Sequence, residues 1–312
     1  MSKNSLRDEW RARTGSAEQE LAAHGFVWEE GLHFPLTKKE TTAVVKAALK
    51  EDDTLHDITT AATILSDRRA RCRLMARQPG VVAGLELARE AFRQLDKKVT
   101  VRIEHDDGSF VDPTSPVMFL SGHARGLLSA ERVALNFTQR LSGIATLTAR
   151  YVKAIEGTGA HILDTRKTTP GWRRLEKYAV RAGGGMNHRM DLASAVLIKD
   201  NHLAAVDGDI GIAVKRARAV GPAGIKVEVE CDTVEQVRAA LDAGADVIML
   251  DNMRPPQMRE AVKIVNGQAV VEASGGINLD TVRAIAETGV NWISVGALTH
   301  SAPALDLALD FD

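Results

Sequence analysis

Residues 161–202 read HILDTRKTTPGWRRLEKYAVRAGGGMNHRMDLASAVLIKDNH. Two short apolar runs lie in this stretch, at residues 162–163 and 195–198, and cations follow each at once: Arg166 and Lys167 after the first, Lys199 after the second. Between them stand Gly183, Gly184 and Gly185, then Asn187, His188 and Arg189. A buried strand is rigid, and a basic group at its end is held firmly at the mouth of a fold, with the loops beyond free to shape a pocket. The stretch therefore predicts a site for a polyanionic small molecule.

Outward from it, toward the C-terminus, apolar runs of strand length recur at near-regular intervals, at residues 225–229, 247–250, 270–273 and 292–295. Helix-length segments separate them. Asp232 with Glu235 forms a capping-box-like pair, Pro255-Pro256 suits a helix start, and Asn278 can cap another. This is βα repetition with a parallel sheet buried on both faces. Six such units, with room for another between Leu163 and Ala195, point to an α/β barrel. A doubly wound open sheet is the alternative, although no GxGxxG opens a first βα turn.

Toward the N-terminus the pattern differs. Residues 1–16 are polar and expected to be loosely held, and residues 17–24 can form a short helix. Thr37 and Glu40 make a capping box before Val44, Val45, Ala48 and Leu49, and residues 51–60 read as turn. Cys72, Leu74 and Ala76 alternate with arginines, a strand with one wet face. Leu87, Ala88, Ala91, Phe92 and Leu95 follow at helical spacing, then alternation at Val99, Val101 and Ile103, a turn at Asp107-Gly108, and a last apolar run at residues 117–120. Residues up to about 125 thus read as an α+β domain with antiparallel strands. A long helix spans 127–155, with a point at Ser142-Gly143 where it can bend or break. On spacing alone, its Arg132 and Arg140 are solvent-facing.

The chain has 312 residues, 45% hydrophobic, 26% charged and 4% aromatic, with net charge −1. It can bury a large core, built on aliphatic side chains. The charge argues against nucleic acid as a partner, since the cations are local. Cys72 and Cys231 make no disulfide scaffold, no transmembrane-length run is present, and no apolar leader opens the sequence, so the expected location is the cytoplasm without a membrane partner.

In a barrel all the strand ends open on one rim, where such folds hold their active sites. The runs end, in order, in Arg166 and Lys167, in Lys199, in Glu230, in Asp251, in Ser274-Gly275-Gly276, and in Gly296. The early half of this series is basic, with His188 and Arg189 added; arginine forks and lysine charges suit carboxylates. Glu230 and Asp251 can bind Mg²⁺ or accept hydrogen bonds from ribose hydroxyls. The glycines, directly before a helix, allow close approach of phosphate to backbone N–H groups. Cations for carboxylates, acids for sugar or Mg²⁺, and glycines for phosphate together suit a phosphorylated sugar reacting with a small acid. A barrel enzyme with Lys199 as a Schiff-base lysine is the rival reading.

Here the chain closely resembles the quinolinate phosphoribosyltransferases. The matching pieces are SAERVALNFTQRLSGIAT (129–146), DTRKTTPGWR (164–173), KYAVRAGGGMNHR (177–189), LIKDNH (197–202), EVE (228–230), IMLDNM (248–253), EASGGI (272–277) and ISVGALTHS (293–301). The resemblance implies an α/β fold in which an N-terminal α/β sandwich domain (1–125, rejoined by the tail at about 298–312) precedes an incomplete α/β barrel (126–297). It implies phosphoribosyl transfer from 5-phosphoribosyl 1-diphosphate to quinolinate, releasing CO₂ and diphosphate. It implies Mg²⁺ as cofactor, held by Glu230 and Asp251 directly or through the diphosphate. It also implies a homodimer whose Arg132 reaches the neighbouring site. Arg166, His188, Arg189 and Lys199 look like the quinolinate pocket, with Lys167 also meeting the phosphoribosyl substrate. Ser274, Gly275 and Gly296 look like the phosphate rim. By the same resemblance Lys167, Lys199, Glu230 and Asp251 are expected to carry the catalytic roles, and Lys199 or His188 is the expected proton source after CO₂ leaves.

Overall fold

The computed structural model describes residues 31–312; the expectations for residues 1–16 and 17–24 lie outside them. Among these residues twelve strands follow in chain order: β1 (Arg69–Ala76), β2 (Gly80–Val81), β3 (Thr100–Ile103), β4 (Phe110–Val111), β5 (Pro116–His123), β6 (His161–Leu163), β7 (Val196–Ile198), β8 (Val227–Cys231), β9 (Val247–Asp251), β10 (Val270–Ser274), β11 (Trp292–Ser294) and β12 (Leu307–Phe311). They divide between two compact units. One comprises Leu32–Ala149, Thr168–Gly184 and Leu298–Asp312; the other includes Arg150–Lys167 and Gly185–Ala297.

The first unit is built on a four-stranded antiparallel sheet in the order β12-β1-β5-β3. Cys72, Leu74 and Ala76 are its buried face, as their alternation predicts. The chain's last strand pairs with its first. Thr37 and Glu40 form the expected capping box at the helix Lys38–Glu51. The stretch 51–60 is not simply a turn: a 3₁₀ turn at Thr54–His56 leads into a helix, Ile58–Thr63, which Asp57 caps through the Thr60 N–H. Asp107, from the predicted turn, is half-buried and accepts from the N–H groups of Gly84 and Leu85, capping the helix Leu85–Leu95 from a distance, while the Tyr178 hydroxyl donates to it at 2.6 Å. Burial raises its pKa.

The long helix is continuous from Ala124 to Ala154 and does not break at Ser142-Gly143. Instead Gly143 lets the backbone around Pro303 lie against the helix: a Cβ there would stand 2.0 Å from the Pro303 carbonyl oxygen. Arg140 is not a solvent-facing arginine either. Its Nη2 donates to the buried Glu176 at 2.8 Å and its Nη1 to the Ala302 carbonyl at 3.1 Å. Glu176 in turn accepts from the N–H and hydroxyl of Thr169. Arg132, by contrast, is exposed.

The second unit holds a six-stranded parallel sheet in the order β6-β11-β10-β9-β8-β7. Leu163 of β6 and Val247 of β9 lie three strands apart, yet they share one buried cluster with Met186, Val270 and Trp292. In an α/β barrel such a layer lies inside the curled sheet. β6 and β7 occupy its two edges, so the barrel is incomplete. The long gap after Leu163 contains no further strand; a single parallel bridge, Leu163–Met186, stands there. The helix after β8 is capped by Thr233 with Gln236, one residue later than the Asp232–Glu235 pair, because Thr233 has the extended backbone that a cap requires.

Asp246 shows how adjacent strands are stitched together. Its carboxylate accepts from Val227 N at 2.9 Å, Arg218 at 2.9 Å and Lys226 at 3.2 Å. Burial raises its pKa, but these three donors outweigh it and leave the carboxyl below its ordinary value of 3.8. A depressed folded-state pKa stabilises above the unfolded value and loses that contribution as pH falls through the folded one. Asp246→Asn is therefore expected to cost about 1 kcal/mol at pH 7, allowing for solvent screening, and the gap from wild type should narrow as pH falls below about 4. Urea titrations at pH 7 and pH 3.5 measure both; an equal gap at the two values would contradict the assignment.

Candidate active site

Because the six strands are parallel, their C-terminal ends share one side, and the curled sheet brings their side chains toward one interior. Side chains of a strand alternate, so Glu228 and Glu230 of β8 share a face, as do Glu272 and Ser274 of β10. Interior positions therefore come in layers. Leu163, Met186, Val247, Val270 and Trp292 form an apolar layer. His188, Glu228 and Glu272 form a buried polar group. At the strand ends stand Lys199, Glu230, Asp251 and Ser274.

The loop after Met186 is pinned from within. Asp164, completely buried after β6, accepts from Asn187 Nδ2 at 2.6 Å and from the His188 N–H at 2.9 Å. His188 turns its ring inward: Nε2 lies 3.1 Å from Glu228 Oε2 and 3.5 Å from Glu272 Oε2, and Nδ1 accepts the Arg189 N–H at 2.8 Å. Burial lowers the proton affinity of the ring, and Glu272 and Glu228 more than reverse this, raising its pKa well above the usual imidazole value. The Arg189 N–H aimed at Nδ1 opposes a second ring proton, since a protonated nitrogen cannot accept. The geometry fits a proton on Nε2, facing the two acids. Burial, followed by Glu272, raises the pKa of the Glu228 carboxyl.

Arg189 is crowded by a second cation. Burial and then Arg166 lower its pKa, against weaker opposing effects of Glu228 and Asp191. Its Nη1 donates to the Ala195 carbonyl at 3.1 Å. Arg166 buries its Nε without a hydrogen-bond partner among the described residues. Two cations whose charges oppose each other, one with a buried donor that lacks a partner among the described residues, suit an anion carrying more than one charge.

Lys199 donates to Glu230 at 2.5 Å. Asp251 is raised by burial, then by Glu230 and Asp232, against Lys199, and accepts from Asn252 Nδ2 at 2.6 Å. These two acids, with Glu230 adding to the cost of ionising Asp251, suit a hard cation or sugar hydroxyls. Beyond them, Gly275 has φ +91 and a Cβ there would stand 2.2 Å from Asn252 Oδ1, so only glycine fits. Gly276 has φ +61. The loop does not open directly into a helix: the next one, Val282–Ala286, starts later and is short. Whatever the loop binds meets turn N–H groups, not a helix dipole. Gly296 follows β11, and Lys167 is exposed beyond Arg166, its N–H bonded to Thr165 Oγ1 at 3.1 Å.

One unit thus contains Arg166, Lys167, His188, Arg189, Lys199, Glu230, Asp251, Ser274, Gly275 and Gly296, whereas Arg132 belongs to the other. Sequence reading passed over Glu228, Glu272, Asp164 and Asn252. Period two supplied a signal for the glutamates, each two residues before a predicted rim residue and so one layer deeper on the same face.

The chain is similar to known proteins over most of its length. The family description quinolinate phosphoribosyl transferase, N-terminal domain, matches residues 57–142, and its C-terminal domain matches residues 144–310. A probable nicotinate-nucleotide pyrophosphorylase (carboxylating) of Bacillus subtilis is 45% identical over 80% of this chain and 86% of its own. A mitochondrial quinolinate phosphoribosyltransferase (decarboxylating) of Nicotiana tabacum is 43% identical over 86% of this chain and 81% of its own. The solved nicotinate-nucleotide pyrophosphorylase of Francisella tularensis superposes with a TM-score of 0.86 at 38% identity, covering 91% of this chain and 100% of that one. With both domain descriptions matched in order and relatives this similar across most of its length, the chain belongs to the quinolinate phosphoribosyltransferase family.

Proposed function

We propose that the chain transfers the 5-phosphoribosyl group of 5-phosphoribosyl 1-diphosphate to the nitrogen of quinolinate and releases CO₂, giving nicotinate mononucleotide and diphosphate in NAD biosynthesis. The observation that carries this reading is the crowded Arg166–Arg189 pair with its unmatched buried donor, a receptor for a dicarboxylate. Arg166, Arg189 and Lys199 hold the two carboxylates, and His188 backs them. Glu230 and Asp251 face the ribose, where positive charge develops at C1 as diphosphate leaves. Ser274, Gly275 and Gly296 receive phosphate through backbone N–H groups, and Lys167 reaches the same substrate.

The acid pair also fits Mg²⁺, which Glu230 and Asp251 would hold directly or through the diphosphate; bound there, the ion would neutralise the leaving group. Nucleophilic attack needs no covalent enzyme intermediate. Once ribosylated, the ring nitrogen is cationic and stabilises the carbanion that loss of the 2-carboxylate leaves at the adjacent carbon. Of the two expected proton donors, the engagement of both His188 nitrogens favours Lys199, whose side chain is 45% exposed at the strand end. The chain is further proposed to act in the cytoplasm as a homodimer, with Arg132 serving the neighbouring site. The exposed Leu55, Ile58 and Leu65 support a partner surface beside it, since Asp57 and Ile64 in that segment bond to Ser129 and Arg125 of the helix that bears Arg132. Among the described residues no helix is long and apolar enough to cross a membrane.

Quinolinate labelled with ¹³C in its 2-carboxylate tests the reaction. Labelled CO₂ should appear only when 5-phosphoribosyl 1-diphosphate is present, because the ring must be ribosylated before it can lose the group. Release without it would contradict this order.

A further inference from the structure

We propose that Glu272, together with Glu228, is a positioning residue that clamps the His188 imidazole from inside the barrel and thereby sets Arg189 for the acid substrate. The inference rests on the function proposed above. Both glutamates are buried in the barrel interior, Glu272 completely and Glu228 to 5% exposure. Among the described residues, both oxygens of Glu272 and Oε1 of Glu228 lack a hydrogen-bond partner. Burying carboxylates so poorly matched is destabilising, and apolar side chains would fill these strand positions at less cost. What they do face is His188 Nε2, at 3.1 and 3.5 Å.

The consequence runs through the ring. With Nε2 turned to the acids as donor, the lone pair of the imidazole stays on Nδ1, where it accepts the Arg189 N–H at 2.8 Å. Asp164 holds the preceding N–H. The backbone that carries Arg189 is therefore fixed on both sides, and its guanidinium is steered against the Arg166 charge instead of swinging away from it.

The same three residues could be read as a metal centre, since their ligand atoms lie within 4.8 Å of one another. The Arg189 N–H argues against that. A histidine that ligates through Nε2 carries its proton on Nδ1 and donates it outward, and here an N–H group already points at Nδ1.

Full-length protein labelled with ¹⁵N in histidine and arginine tests the clamp. In the free wild type, His188 should show a protonated Nε2 and an unprotonated, accepting Nδ1. Glu272→Gln should shift both His188 ring nitrogens and the Arg189 amide. It should also weaken quinolinate binding about tenfold, leave 5-phosphoribosyl 1-diphosphate binding within twofold, and melt no lower than wild type. Glu272→Asp, which restores the charge, should recover part of the quinolinate affinity. The proposal is overturned if quinolinate affinity in Glu272→Gln stays within twofold, or if both affinities and the melting temperature fall together. One bound metal per chain with the proton on Nδ1 would also overturn it. Should the wild type bind no quinolinate, the proposed function fails; the Arg189 amide shift in free Glu272→Gln still reports the clamp, moving if it exists and unchanged if it does not.

Discussion

Gly143→Ala is expected to cost about 3 kcal/mol of stability, although alanine favours a helix over glycine by about 1 kcal/mol. The added methyl would stand 2.0 Å from the Pro303 carbonyl oxygen, 2.9 Å from the Ala304 Cα and 3.0 Å from the Pro303 carbonyl carbon. All three are backbone atoms, so no rotamer change relieves the contact. Either the helix Ala124–Ala154 or the segment leading to β12 must shift. In a unit of this size the melting temperature should fall by roughly 6–12 °C. Calorimetry on the variant measures it. A melting temperature at or above that of wild type would mean that helix propensity wins and that the close approach is not a constraint.

Arg189→Ala is expected to lower kcat/KM for quinolinate by about 10²–10³-fold while leaving the fold at least as stable. The two effects have one cause. In the free protein the guanidinium is partly buried and repelled by Arg166, a strain that removing it relieves. In the complex it meets a carboxylate, and deleting one member of such a pair typically costs several kcal/mol. The loss should fall on quinolinate, with KM for 5-phosphoribosyl 1-diphosphate little changed. Steady-state kinetics with a thermal melt decide it: activity within tenfold of wild type, or a destabilised variant, contradicts the receptor reading.

The second unit was legible wherever an apolar run ended in a polar residue. Lys199, Glu230, Asp251 and Ser274 all stand where that pattern predicted, because a strand buried on both faces can end only where its side chains meet solvent or ligand. The failures share a different origin. Glu228 and Glu272 sit inside runs that read as apolar, and their role depends on a histidine brought from another loop by the curl of the sheet. Arg140 and Gly143 were misread because their partners, Glu176 and Pro303, come from remote segments. Local spacing carries helix faces and strand ends; it does not carry the contacts that tertiary structure makes.

The central claim is that this rim selects a dicarboxylate and couples ribosylation to loss of one carboxylate. The most direct measurement is product formation by purified protein with 5-phosphoribosyl 1-diphosphate and Mg²⁺, using quinolinate in one reaction and nicotinate in another. The account predicts nicotinate mononucleotide, with CO₂ and diphosphate in equal amounts, from quinolinate, and no comparable turnover of nicotinate. Equal use of nicotinate, or no product from quinolinate, would contradict it.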